Sequence, residues 1–471
     1  MVRRLLTVPV LLATLAATTA APPTSAEESG SAAAARAPAL QVHRGGPDKT
    51  VTFHRGRTGD VLLKVTVSAR GVSWAERTNE SAVVSAYVDG HYATDIVITS
   101  SSPVKRQFAL GRLGKGRHTL RLHYAGQRSR SDAGVATLRN VGFKTVRRSS
   151  PAYAAVRNAP VLYGRTLKAF GGRFQNNRTD SPLVAWHQVL PAAKHGHSLI
   201  EYSVIWSNED GGTATAGLMA KWGRTTDIEW IYRVEVDAKG NRVPRTGVFQ
   251  GPNHGTQRFR GKYDGTHPLL QTCTENNNVC DKVKGSMRFA LSMRGDLPAG
   301  QPREHVMDVH PWTYQVMARE MVREHKIEST STPATLDVGD QRTYLYLAVT
   351  HDTDPVGSAS GTGLAVDVQL KGDPTTYTSD HWQSPLLFTV NRDGPAATTV
   401  ELPAGTTAAD VASIAVRRVP IGTDSGASLT VTHLKRAFFL GKNYLPRSSF
   451  ARWHGSVTLT SGSPTAVIWS S

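Results

Sequence analysis

Asp227-Ile-Glu229-Trp230 sets two carboxylates two residues apart at the head of a β-rich run that continues to Val236. On an extended strand, residues i and i+2 share one face of the sheet, about 7 Å apart at their backbones. Two carboxylates so placed can bind a divalent cation or divide the acid and base roles of a reaction. Neighbouring negative charges also raise one of the two pKa values, which keeps a proton available. The competing reading is structural: a strand edge whose carboxylates neutralise Arg224 and Arg233. Trp230 is expected on the opposite face, in the core.

Two histidines follow in loops rich in glycine and proline, Pro252-Asn253-His254-Gly255 and Gly265-Thr266-His267-Pro268. Imidazoles in such loops can act as general acids or bases, or join carboxylates around a metal. With Asp227 and Glu229 they make the candidate catalytic set, the two carboxylates alone being the candidate metal ligands. Asp308-Val-His310 and Glu209-Asp210 could add to it, and Trp206 and Trp222 could stack sugar rings. The alternative for each histidine is a loop imidazole hydrogen-bonded to backbone.

The elements that must position these groups are short strands. Val61–Val67, Ser81–Val88 and His118–Tyr124 are β-rich, and Asp89-Gly90 after the second is a turn signal. Leu199–Trp206 and Ile228–Val236 continue the pattern, as do Thr343–Val349, Gly363–Leu370, Ser428–Thr432 and Ser456–Thr460. Val411–Val416 fits a strand or a short helix. Pro311–Ile327 is the one clear helix, with Trp312, Val316, Met317 and Met321 at helical spacing as a core stripe. The expected fold class is mainly β: two or three jelly-roll-like β-sandwiches with a helix at 311–327.

The chain divides into a secretory signal over 1–26, a flexible leader over 27–40, an accessory sandwich over 41–147, a central β-rich domain over 152–330 and a C-terminal sandwich over 335–471. Arg3 and Arg4 before the apolar stretch Leu5–Ala17, then small residues, make the signal. Export permits a disulfide, and Cys273 and Cys280, the chain's 2 cysteines, are its partners. Their spacing fits neither a redox C-x-x-C pair nor a zinc knuckle.

Of 471 residues, 55 are Lys or Arg and 37 Asp or Glu, a net charge of +18. Such a balance favours acidic partners, with a polysaccharide or other acidic envelope polymer foremost. No nucleic-acid motif is present, and no apolar run after the N-terminus reaches the ~20 residues of a membrane span. The serine-hydrolase elbow, zinc-protease, phosphate-loop, EF-hand and dinucleotide fingerprints are also absent.

Tyr87-Val-Asp-Gly90 and Leu110-Gly-Arg-Leu-Gly-Lys-Gly-Arg-His118 resemble secreted jelly-roll accessory domains, which implies a carbohydrate-binding or spacer module. Ala159–Tyr163, Tyr202–Gly212, Asp227-Ile-Glu229-Trp230 and Gly265-Thr-His-Pro268 resemble the vacuolar-protein-sorting-sixty-two-related domains and the necrosis-inducing-like secreted proteins. That resemblance implies a sandwich with a cation site around Asp227 and Glu229. Thr274-Glu-Asn-Asn-Asn278 stands where those families carry a second histidine.

The expectation is therefore a secreted carbohydrate-active protein. It would be a polysaccharide hydrolase or lyase working through Asp227, Glu229, His254 and His267. The alternatives are a non-enzymatic binder of envelope or glycan and, from the second resemblance, a membrane-acting toxin-like protein. All of this requires the acidic strand and the two histidine loops to meet in one cleft.

Overall fold

Side chains that alternate in exposure need a sheet with one face covered, as along Lys49–Arg55 and Trp453–Leu459, whereas Ala82–Val88 and Thr362–Leu370 are buried on both faces. A computed structural model describes residues 38–170, 172–209, 214–328, 337–357 and 360–471. The expected signal and most of the leader lie outside the described residues. The fold is mainly β, in sheets that are antiparallel except where Pro182–Pro191 pairs with Met293–Arg294 and His267–Thr272 pairs with Val161–Tyr163.

The first pair forms a sandwich. One sheet runs in the order Leu40–His43, Val135–Thr145, Gly59–Ala69, Val104–Leu113; the other runs Lys49–Arg55, Gly116–Tyr124, Ala82–Val88, His91–Ile98. Asp89 and Gly90, at φ 49° and 83°, close the hairpin between Val88 and His91. Both residues of such a turn need positive φ, which glycine and aspartate tolerate best.

The central region carries a six-stranded sheet. From one edge it runs Thr256–Arg258, Val248–Gln250, Asp227–Val236, Ser198–Trp206, Pro182–Pro191, Met293–Arg294. A smaller sheet is centred on His267–Thr272 and Val161–Tyr163. The C-terminal part is a second sandwich of two four-stranded sheets, and Val411–Pro420 is one of its strands.

The expected helix spans Trp312–Glu324. Val316, Met317 and Met321 are buried on it as the core stripe, while Trp312 is half-buried. His325 ends the helix in the left-handed conformation at φ 59°. Buried Glu320 accepts from Trp74 Nε1 at 2.7 Å and Thr179 Oγ1 at 2.8 Å, and pairs with Arg323. The helix thus fastens the first sandwich to the central region. The two also share one continuous apolar core, and Ala109 N–H donates to Ala290 O at 2.7 Å across the seam. The C-terminal sandwich has a core of its own.

Candidate functional site

Asp227 and Glu229 open their strand on one face, opposite Trp206 and Val204 of the neighbouring strand. The register slips at Tyr202/Ser203, a bulge that ends the simple alternation. Trp230 is consequently only half-buried, with the Arg233 guanidinium 4.8 Å from its ring, rather than sunk in the core. Glu209, just past the end of the partner strand, hydrogen-bonds Asp227. Three carboxyl groups therefore meet at one end of the sheet.

Their protonation follows from their surroundings. Burial and then the Asp227 charge push Glu209 up to about 9. The same two causes push Glu229 up to about 8. Burial also raises Asp227, against the pull of Arg224, Asn277 and Glu209. The Asp227 charge raises both neighbours, so Asp227 is the first of the three to ionise, and Glu209 and Glu229 hold protons at neutral pH. Arg224 and Arg233 do not neutralise these groups by direct pairing. Arg224 Nε donates to Glu304 at 3.0 Å, and Arg233 to Glu201 at 2.9 Å.

The disulfide Cys273–Cys280 is formed, and its loop roofs the cluster. Asn277, at φ 46°, donates its amide to Asp227 Oδ2 at 3.0 Å. Fully buried Arg165 holds the loop from beneath through Thr274 O and Glu275 O, at 3.1 and 2.7 Å, and pairs with Asp180.

His254 closes the open side. Its Nδ1 lies 3.6 Å from Glu229 Oε1, and its ring is about half exposed. The amides of Gln250 and Asn276 reach its two ring nitrogens at 2.8 and 2.9 Å. Gln250 also hydrogen-bonds Glu229, so one amide links acid and imidazole. Asn253 and His254 both lie in the left-handed region, at φ 58° and 57°. Two such residues in succession store backbone strain, which concentrates at functional turns.

His267 does not join them. It is buried against the first sandwich, with Nδ1 2.8 Å from Ala159 O and Nε2 3.4 Å from Asp60 Oδ1. Its Gly-Thr-His-Pro turn opens a strand of the small sheet, which turns the ring inward. Asp308 and His310 are also spent elsewhere. Asp308 accepts from Tyr314 at 2.7 Å and pairs with Arg436, and His310 binds Asp296 at 2.7 Å. Trp206 is fully buried and offers no face to a sugar, because its strand is covered on both sides. Trp222 is half-buried, with Arg392, Arg224 and Arg303 at 3.9, 5.6 and 5.9 Å from its ring. Arg303 also acts electrostatically on Asp227 and Glu229.

Among the described residues, no three or more His, Cys, Asp and Glu are arranged to hold a metal ion. Gln250, Asn276, Asn277 and Arg303 were not singled out from sequence. The consecutive asparagines between the two cysteines were the one visible sign.

No protein-family model matches the chain, and no curated protein matches it. Among solved structures, the EclA C-terminal domain, a sugar-binding protein, is 13% identical, with 25% of this chain and 84% of that chain covered and a TM-score of 0.17. Tandem CBM51 modules of a family 98 glycoside hydrolase from Streptococcus pneumoniae are 10% identical, with 78% of each chain covered and a TM-score of 0.15. The M60 catalytic domain with CBM51 modules from Clostridium perfringens ZmpB is 9% identical, covering 82% of this chain and 32% of that one, with a TM-score of 0.17. Such TM-scores do not define a shared fold. The resemblance of the central segment to vacuolar-protein-sorting-related and necrosis-inducing-like domains gains no support from these comparisons.

Proposed function

We propose that the protein is a carbohydrate-active enzyme that cleaves a glycosidic bond by acid–base chemistry at Glu229 and His254. The observation that supports this is the joint burial of Glu209, Asp227 and Glu229, with Glu209 and Glu229 protonated at neutral pH, beside a half-exposed imidazole. Glu229 is the protonated acid beside the half-exposed His254 and is suited to protonate a leaving oxygen. His254 accepts a proton from water or from a sugar carbon, the hydrolase and lyase alternatives respectively. Asp227, stabilised by Asn277 and Glu209, supplies fixed negative charge for a developing oxocarbenium ion. Trp222 and Arg303 flank the cluster as the groups available to a sugar ring and its substituents. The disulfide suits an oxidising compartment outside the cell.

The test is turnover on a panel of neutral and acidic polysaccharides, read as new reducing ends and as unsaturated uronate absorbance. The expected result is depolymerisation that falls by about 10²–10⁴-fold in Glu229→Gln and His254→Ala, with melting temperatures close to wild type. Activity should also decline as pH rises through about 8, where Glu229 loses its proton. A broad panel with no product, or full activity in Glu229→Gln, overturns the proposal.

A further inference from the structure

A second feature lies apart from the acid cluster, where the first sandwich meets the central region. Two cavities of about 880 and 700 Å³ share Lys64, Gln107, Ser292 and Arg294 as lining, so they adjoin, and the pair makes up a trough. The larger is lined by Arg55, Arg57, Lys64, Lys144, Arg147 and Arg294. Asp296 is the only carboxylate among the lining residues of either cavity, and Arg294 and His310 already engage it. Arg57, Lys64, Lys144 and Arg147 are exposed, and no carboxylate among the described residues forms an ion pair with them. Arg55 reaches only Phe143 O, at 3.3 Å, and its Nε is buried without a partner.

Unpaired like charges drawn into one trough repel each other and favour a polyanion that would replace their counterions. The lining also fits the kind of polyanion. Gln107, Ser149 and Ser292 offer hydroxyl and amide groups suited to sugar hydroxyls. Trp312 is the one tryptophan present, and the Arg106 guanidinium already lies 4.7 Å from its ring. Bases of a nucleic acid would find no row of free rings to stack on. A recessed trough also meets a flat membrane surface poorly.

We propose that this trough is a holding site for a linear carboxylated polysaccharide, separate from the residues that would cleave it. The proposal takes from the preceding reading only that the ligand is a polysaccharide. None of Glu209, Asp227, Glu229 or His254 lines the trough, so Glu229→Gln, which should stop cleavage, leaves the trough intact for binding measurements.

The experiment measures fluorescence anisotropy of labelled oligogalacturonate with the full chain across a salt series. Wild type should bind, with affinity falling as salt rises. A variant carrying Arg57→Gln, Lys64→Gln, Lys144→Gln and Arg147→Gln should bind at least about tenfold more weakly, with a shallower salt dependence and an unchanged melting temperature. A control carrying Arg70→Gln, Lys239→Gln, Lys371→Gln and Lys442→Gln loses the same charge from other exposed positions and should bind within about twofold of wild type. Equal losses in both variants would show that net charge alone attracts the ligand and would overturn the site. Equal affinity for the methyl-esterified oligomer would overturn the charge argument. Tighter binding of an oligothymidylate of matched charge would reassign the trough to nucleic acid. Glu229→Gln should bind like wild type, so an inactive cluster and an unoccupied trough are told apart.

Discussion

Glu229 and Glu209 keep protons that ordinary carboxyl groups lose, because burial and the charge on Asp227 both oppose ionisation. That arrangement has a consequence for stability. In the unfolded chain both groups ionise near pH 4.5, whereas in the fold they ionise near 8 and 9. The folded state therefore binds more protons across this interval. Stability from these groups is complete below about pH 4.5 and is lost as pH rises through about 8 and 9. Glu229→Gln removes the ionisation while keeping the shape. The expected outcome is that the variant gains on the order of 1–3 kcal/mol relative to wild type at pH 9, and much less at pH 5. Urea unfolding at both pH values checks this; a difference that does not change with pH would show that Glu229 ionises normally. The carboxyl pair at 227 and 229 was legible from the two-residue repeat of a strand. The protonation was not, because it depends on Glu209, 18 residues before Asp227, and on how deeply that end of the sheet is covered.

At the scale of elements, the site depends on two pieces with little regular structure. The loop closed by Cys273 and Cys280 brings Asn276 to His254 and Asn277 to Asp227. The turn at Pro252–His254 swings His254 back over Glu229. Replacing both cysteines by serine should cost roughly 2–3 kcal/mol, since closure of so short a loop removes little chain entropy. Any activity should fall further than that loss of folded protein explains, because the amides that orient His254 and Asp227 become free to move. Parallel measurement of melting temperature and rate below the melting range separates the two effects. A rate unchanged per folded molecule would mean that the asparagines do not orient the site. The cysteine pairing followed from spacing and compartment, as did the strand Asp227–Val236. The arrangement around His254 did not. Asparagine and histidine tolerate positive φ better than most residues, but that Asn253, His254 and Asn277 in particular adopt it is set by tertiary packing. His267 shows the converse: its loop has the same glycine and proline setting, yet the ring is buried against Asp60.

At the scale of the molecule, the first sandwich and the central region behave as one body. They share a core, and Glu320 ties Trp74 to Thr179 across them. Glu320→Ala removes the acceptor from the Trp74 indole and the Thr179 hydroxyl, and takes a partner from Arg323. The expected loss is about 2–4 kcal/mol, as for other buried charged networks. Denaturant curves followed by tryptophan fluorescence and by circular dichroism of the strands should shift together. Separate midpoints for the two regions would contradict a shared core. The sequence by itself determined that the chain is β-built, where a part of its strands and the helix near 311–327 run, and which cysteines pair. Those features depend on local periodicity and on short spacings along the chain. Tertiary structure alone decided that Glu209 and His254 join Asp227 and Glu229, that His267, Asp308 and His310 do not, and that scattered basic residues line one trough. Such meetings depend on how sheets stack and where loops cross, and residues far apart in the chain carry no local signal of them.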